Sequence, residues 1–267
     1  EHWVNFELVP MDLSDPNNPT LTASTTMPTS ERDVDFLTSG SKMYITHKQP
    51  YDAQGDTRPY VRYYYKTVDF TDPSSPQIGT SINIPGRLLA VDGQDILTRD
   101  FLWGSEIVES SINLLRVYGN TAYLRGTHRF TDRQIQGVEV GSGGDVFVSH
   151  NESYYVARNG NTSTQDGTYL TILDQQAQLN KLSEVRLADW ATLQAATSND
   201  RALFSVPGGL LVVDATQPTS PSAQAFFPTR TWPRDVYVDG DRAFMAAGAY
   251  GIYDFDLTVN NLLIFNN

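Results

Sequence analysis

The chain has 267 residues, no cysteine, 31 acidic against 19 basic side chains and a formal net charge of -12. These counts exclude a disulfide framework, a thiolate metal site and a cysteine nucleophile, and they give no electrostatic footprint for a nucleic-acid backbone. No apolar run approaches the roughly 20 residues of a membrane helix, while 40% hydrophobic and 11% aromatic residues suffice for a globular core.

From the N-terminus, Glu1-His2-Trp3-Val4 lacks the charged and apolar regions of a signal peptide. A processed or truncated start leaves the compartment open. An apolar segment ending in aspartate, followed by a proline-bearing turn, then appears as Val9-Pro10-Met11-Asp12-Leu13-Ser14-Asp15-Pro16-Asn17-Asn18-Pro19. Val34 to Thr46, around Ser39-Gly40, reads as a hairpin. Val61, Tyr63 and Tyr65 alternate with Arg62, Tyr64 and Lys66, the period of a strand. The turn phrase returns as Val68-Asp69-Phe70-Thr71-Asp72-Pro73-Ser74-Ser75-Pro76.

Leu88 to Thr98, around Asp92-Gly93, is the second hairpin, and Gly119-Asn120 marks an outer hairpin of the same unit. Gly141-Ser142-Gly143-Gly144 superficially resembles a phosphate loop, but the strand-like Asp145-Val146-Phe147-Val148 follows instead of a helix. It is predicted as a hairpin turn. A degenerate phrase, Thr171-Ile172-Leu173-Asp174, precedes a hairpin around Asn199-Asp200 and a full copy, Leu211-Val212-Val213-Asp214-Ala215-Thr216-Gln217-Pro218-Thr219-Ser220-Pro221. The last hairpin carries Asp239-Gly240, for which a type I′ turn with positive φ at both central residues is predicted.

Asp174, Asp214 and Asp254 are spaced 40 residues apart, and Arg201-Ala202-Leu203 precedes Arg242-Ala243-Phe244 by 41. A period of about 40 with four short strands per unit predicts an all-β propeller of about six or seven four-stranded blades, incomplete at the N-terminus. The units fall at 1–30 (partial), 31–84, 85–134, 135–188, 189–229 and 230–267, within one domain spanning 1–267. Stacking is required because one twisted sheet cannot bury both of its faces alone. For the partial first unit there are two readings: its inner strands lie upstream, or the last unit closes the ring on residues 1–30.

Asp15 and Asp72 are positioned to accept backbone N–H groups two residues on, with the following proline fixing the turn. Asp12, Asp69 and Asp214 are expected to bond donors in the same corner. Calcium is the alternative, but no copy has the Asp-x-Asp-x-Asp-Gly order, and no metal is expected. The histidines, His2, His47, His128 and His150, have no zinc spacing. His47 and His150 follow apolar strand segments and are expected at blade edges.

Charged residues recur at the start of first strands: Arg32-Asp33, Arg87 and Arg234-Asp235. In a propeller this register converges on a funnel rim, a place for anionic or sugar ligands or for paired carboxylates; inter-blade salt bridges are the plainer reading. Tyr60, Tyr63, Tyr64 and Tyr65, and Phe226, Phe227 and Trp232 in a blade connection, suit inter-blade packing or stacking on a partner.

The stretch Ala243-Phe244-Met245-Ala246-Ala247-Gly248-Ala249-Tyr250-Gly251-Ile252-Tyr253-Asp254 resembles the LVIVD-type β-propeller repeat. Residues 12–19 and 69–76 are similar to its signature turn. The resemblance covers about three units closely and departs over 87–165. It implies a scaffold on a bacterial or archaeal exported or cell-surface protein and carries no catalytic residues.

The reading is therefore a non-catalytic extracytoplasmic binding or scaffold module, without cofactor or membrane insertion. It would present propeller loops and the funnel rim (Arg32, Asp33, Arg87, Arg234, Asp235) to a protein or glycan partner, with membership of a larger surface protein or assembly as a further reading. The alternative is a propeller glycoside hydrolase or lyase with Asp33 and Asp235 as its acids.

Overall fold

A computed structural model describes residues 3–4, 7–21, 24–26, 30–51, 60–73, 75–103, 108–141, 143–152, 167–197, 200–231 and 235–259. The chain divides into two compact units, Glu1–Asp100 with Asn113–Arg125, and Phe101–Ile112 with Gly126–Asn267. Among the described residues every regular element is a strand except one 3-10 turn at Gly248–Tyr250.

Five two-residue strands come first: β1 (Trp3–Val4), β2 (Glu7–Leu8), β3 (Met11–Asp12), β4 (Thr20–Leu21) and β5 (Thr25–Thr26). β2 pairs with β5 and β3 with β4, while β1 joins the edge of β6 (Ser30–Ser39). The first sheet continues through β7 (Lys42–Tyr51), β8 (Tyr60–Asp69) and β10 (Ile82–Ile84), with β9 (Gln77–Ile78) also on β8.

Three four-stranded sheets follow, each in sequential order. The second holds β11 (Arg87–Asp92), β12 (Asp95–Trp103), β13 (Val108–Tyr118) and β14 (Thr121–Thr131). The third holds β15 (Arg133–Val140), β16 (Asp145–Glu152), β17 (Thr168–Asp174) and β18 (Asn180–Ala188). The fourth holds β19 (Thr192–Ala196), β20 (Arg201–Val206), β21 (Gly209–Asp214) and β22 (Ser222–Pro228). The fifth has three described strands, β23 (Val236–Asp239), β24 (Arg242–Ala246) and β25 (Ile252–Asp256). All described pairings are antiparallel, as sequential hairpins require. Phe226 and Phe227 therefore sit in β22, not in a connection between sheets; Trp232 lies outside the described residues.

The first hairpins of the first, second and fifth sheets close at predicted turns, but with shifted register. Asp239 is still paired, to Arg242, so the central residues are Gly240 and Asp241. Only Gly240 of these has positive φ, at 56°. Gly40, at 58°, and Gly93, at 58°, repeat the arrangement. This is the pattern of a type II′ turn, which needs glycine at its first central position alone.

The aspartate that ends the third strand locks the next corner. Asp214 Oδ1 accepts the Thr216 N–H at 2.9 Å and its hydroxyl at 2.8 Å. Asp69 does the same for Thr71 at 2.8 and 2.6 Å, and Asp12 takes the Ser14 N–H at 2.9 Å. These bonds hold the Asp12 and Asp69 carboxyls below their usual range. Asp15 accepts from Asn17 N–H at 3.0 Å. The proline turns then close through Asn18 N–H to Asp15 O, Ser75 to Asp72 and Ser220 to Gln217, at 3.0, 3.1 and 2.8 Å.

In the fifth sheet the corner belongs to Asp256, which pairs across from Arg242 as Asp214 does from Arg201, and which holds Thr258. Asp254, the residue on the 40-residue spacing, instead forms a bidentate pair with Arg242. The repeat here is two residues longer than the spacing indicated.

Neighbouring sheets cover one another through aliphatic faces. In the first unit Tyr65, Ile82 and Ile84 pack with Leu88, Ile96 and Leu115, while Ile45 and Val68 pack with Leu8, Met43, Phe70 and Ile78 on the other face. In the second unit Phe147, Leu170 and Ile172 of the third sheet meet Ala202, Phe204, Val206 and Leu211 of the fourth. The opposite face of the fourth sheet, Leu203, Leu210, Val212 and Ala225, meets Ala243, Met245 and Phe255 of the fifth. Each large side chain so buried contributes about 2 kcal/mol relative to exposure.

In a denaturant titration Asp256→Ala is expected to lower stability more than Asp254→Ala, because Asp256 orders the Thr258 corner while Asp254 makes only an exposed ion pair with Arg242. The reverse order would place the corner on the wrong aspartate.

Candidate functional site

First strands lie side by side within each unit: β6 beside β11 in the first, and β15, β19 and β23 in succession in the second. Four of them slip register, β6 between Glu31 and Asp35 and the other three by a single residue. Register slips between Leu88 and Ala90, Ile135 and Gly137, and Leu193 and Ala195, leaving Leu89, Gln136 and Gln194 as the extra residues. A bulge bends its strand and re-aims its side chain, which makes first strands the natural place for recognition.

In the first unit Arg87 opens β11 directly opposite Arg99 of β12. Its Nη1 lies 3.3 Å from Asp35 Oδ2 on β6, both side chains being nearly half exposed. Leu88 N–H reaches Thr46 Oγ1 of β7 at 3.3 Å, tying the start of β11 to the first sheet. Gly86 adopts φ +72°, and a Cβ there would fall 2.0 Å from the Arg99 carbonyl oxygen, so only glycine lets the chain enter β11 this closely. Burial, and then the positive charge of Arg87, pull the Arg99 pKa down.

His47 is buried inside β7, not at an edge, and stacks on Tyr64 with centroids 5.6 Å apart. Its Nε2 has no hydrogen-bond partner. Burial first, and the Lys66 charge second, depress its pKa. Tyr65, on the opposite face of β8, is buried in the core and its phenol is pushed up to about 12, by burial and then by Tyr44. Tyr63 packs on the same side as Tyr65.

The second unit has an amide-bearing wall. On β15 Gln136 Nε2 donates to Asn151 Oδ1 at 2.9 Å, and on β19 Gln194 Nε2 reaches Thr192 O at 3.5 Å. Glu139, also on β15, has its carboxyl pKa raised by burial. Behind this wall His150 is likewise buried within its strand. Its Nε2 lies 2.8 Å from Thr171 Oγ1, which donates to Glu184 Oε2 at 3.0 Å. Phe130 and Tyr169 flank its ring, and the Arg133 guanidinium covers Tyr169 at 4.8 Å. His128, against Phe130, has its pKa lowered by burial and then by Lys181.

At the hairpin end of the third sheet Asp145 faces Asp174, and burial, then Asp174 and Asp200, raise its pKa. Asp174 spends its Oδ1 on the N–H groups of Gln176 and Ala177. Among the described residues no group of three or more histidines or carboxylates has the arrangement of a metal site.

Of the residues read from sequence, Arg87 is thus found in an ion pair. Arg32 and Asp33 lie on β6, with side chains outside the described part, and Arg234 lies outside the described residues altogether. Asp235 is exposed just before β23, at φ 50°. Arg99, Gln136, Gln194 and Glu139 were missed. Each is a single polar residue inside a strand with no spacing signature; only doubled pairing at the bulges, invisible in sequence, would reveal the two glutamines.

No family model and no curated protein matches the chain. Among solved structures it is similar to Kuenenia stuttgartiensis hydrazine synthase, with TM-score 0.58 and 13% identity over 81% of this chain and 68% of that one. It is also similar to a prolyl endopeptidase, with TM-score 0.51 and 15% identity, over 84% of this chain but only 33% of that one. A puromycin hydrolase gives TM-score 0.50 and 14% identity, with 89% of this chain and 39% of that one covered. At these identities the likeness is one of fold: all-β, in successive four-stranded antiparallel sheets, of β-propeller type.

The His47 imidazole gives a pH signature. Below its ordinary value of 6.5 the unfolded ring takes up a proton that the buried ring resists, so stability is expected to fall as pH drops below about 6.5. His47→Gln should flatten this fall, leaving the part due to His128, whose shift has the same direction. An unchanged slope in urea titrations between pH 7 and 5 would contradict the burial argument.

Proposed function

We propose that this chain is a non-catalytic binding module of β-propeller type, acting outside the cytoplasm, whose first-strand residues and loops engage a protein or glycan partner. The observation that carries the reading is the chemistry of the first strands. In the second unit the bulged positions of β15 and β19 carry glutamine amides, donors and acceptors in one group, suited to sugar hydroxyls or peptide groups. The carboxylate beside Arg87 is held in an ion pair, a binding arrangement and not that of a proton donor.

The LVIVD-type assignment and the extracytoplasmic location rest on the Asp-Pro turns at 12–19 and 69–76 and on their resemblance to that repeat. The activities named for the structural neighbours do not transfer, because the chain spans only about a third of the prolyl endopeptidase and two fifths of the puromycin hydrolase.

One observation favours the alternative, a glycoside hydrolase or lyase: Glu139 on β15 is a carboxyl kept protonated to higher pH. Burial is the cause of that shift, and among the described residues no second carboxyl is coupled to it in the way such chemistry requires.

A glycan array followed by a depolymerisation assay on the retained polymers separates the two readings. Retention without new reducing or unsaturated ends is expected. Turnover that disappears in Glu139→Gln or Asp235→Asn would replace the binding module by an enzyme.

A further inference from the structure

We propose that the outward face of the fifth sheet is a docking surface for a protein partner that presents an apolar strand or sheet bordered by lysine or arginine. The proposal goes beyond the reading of the bulged first strands and does not depend on it.

Residues directly opposite in an antiparallel ladder share a face of the sheet. Met245 and Phe255 belong to the face of the fifth sheet that packs against the fourth. The other face is laid out in rows across β23, β24 and β25. Asp239, Arg242 and Asp256 stand at the hairpin end, and Tyr237, Phe244 and Asp254 follow in the middle. Ala246 and Ile252 face each other at the far end. The Tyr237 and Phe244 rings lie side by side, with centroids 6.5 Å apart and planes 32° from parallel. Tyr237 and Ile252 are the two most exposed large apolar side chains among the described residues. Exposed apolar side chains scattered singly need no explanation, whereas neighbours on one sheet face mark an interaction surface. The fourth sheet, with apolar side chains on both faces, has both of them covered.

The charges on this face select the partner. Three carboxylates share it with one guanidinium, and Asp254 already holds Arg242 in a bidentate pair, so Asp239 and Asp256 are in excess. Basic side chains complement such a border. A second copy of a chain with net charge -12 would bring a second acidic border to it. Ala246 and Ile252 offer a sugar hydroxyl no side-chain donor or acceptor, which favours protein over glycan. The partner so defined is apolar where it meets Tyr237, Phe244 and Ile252, and basic where it meets the hairpin end.

The test is calorimetric titration of the whole chain with two synthetic β-hairpin peptides. Both carry one valine-rich face, bordered by lysine in one and by glutamate in the other. The lysine peptide is expected to bind about tenfold more tightly, with the difference shrinking at high salt. Tyr237→Ser and Ile252→Ser should each weaken its binding about fivefold. Asp239→Asn should also weaken it, and Arg242→Gln, which removes the cation of the face, should tighten it. Thermal melts identify any variant that has lost its fold, and the exposed Asp239→Asn is the control should another do so. Equal affinity for the two peptides, no binding of either, or binding indifferent to Tyr237 and Ile252 would overturn the surface. Dimerisation abolished by Tyr237→Ser in analytical ultracentrifugation would give the face to a second copy instead, and glycan retention lost in that variant would give it to a sugar. Failure of the wild-type chain to retain any glycan would leave this surface standing.

Discussion

A twisted sheet with apolar side chains on both faces is stable only when each face has a neighbour. The fourth sheet shows the constraint met. Along β20, Ala202, Phe204 and Val206 face the third sheet while Leu203 faces the fifth, and all four are fully buried. Side-chain alternation, which ordinarily separates core from solvent, here separates one neighbour from the next. Everything else in the second unit follows from this stacking, including the alignment of β15, β19 and β23 as adjacent first strands.

Stacking alone does not set register, and the corners supply it. In the first, third, fourth and fifth sheets the aspartate ending the third strand orders the following turn through its carboxylate. The next backbone N–H returns to the first hairpin: Phe70 to Ser41 O, Ala215 to Asp200 O and Leu257 to Asp241 O, at 2.8, 2.9 and 2.8 Å. Hairpin tip and outer turn are therefore fixed together at one end of the first, fourth and fifth sheets. The opposite end, where first strands begin, is left to polar residues such as Arg87 and Arg133. Within each such sheet the ordered corners lie at one end and the first-strand starts at the other, the division expected where function sits on a rigid scaffold.

Much of this was legible from residue order. Glycine-centred turns, Asp-Pro corners and the 40-residue spacing locate the hairpins and their sheets, because backbone geometry restricts those positions to few residue types. The turn type was misread because glycine tolerates positive φ at either central position, and only strand pairing shows which one it occupies. Spacing points to Asp254 although Asp256 holds the corner, because two aspartates alternate in Ile252-Tyr253-Asp254-Phe255-Asp256 and spacing cannot choose between them. The histidines were read as edge residues although stacking on Tyr64 and Tyr169 makes them tolerable inside strands. The candidate site was the least legible part. Arg87 stood out by recurrence, whereas Arg99 acquires meaning only from the cross-strand pairing that sets it opposite.

Native-state hydrogen exchange tests the mutual covering of sheets most directly. The fifth sheet buries Met245 and Phe255 on one face but leaves Tyr237 and Ile252 67% and 74% exposed on the other. With both faces of the fourth sheet covered, the amides of β20 and β21 should exchange most slowly and through the largest opening, well behind those of β24 and β25. Equal protection in the two sheets, or faster exchange in β20 and β21, would contradict the claim that covering by neighbours holds this fold together.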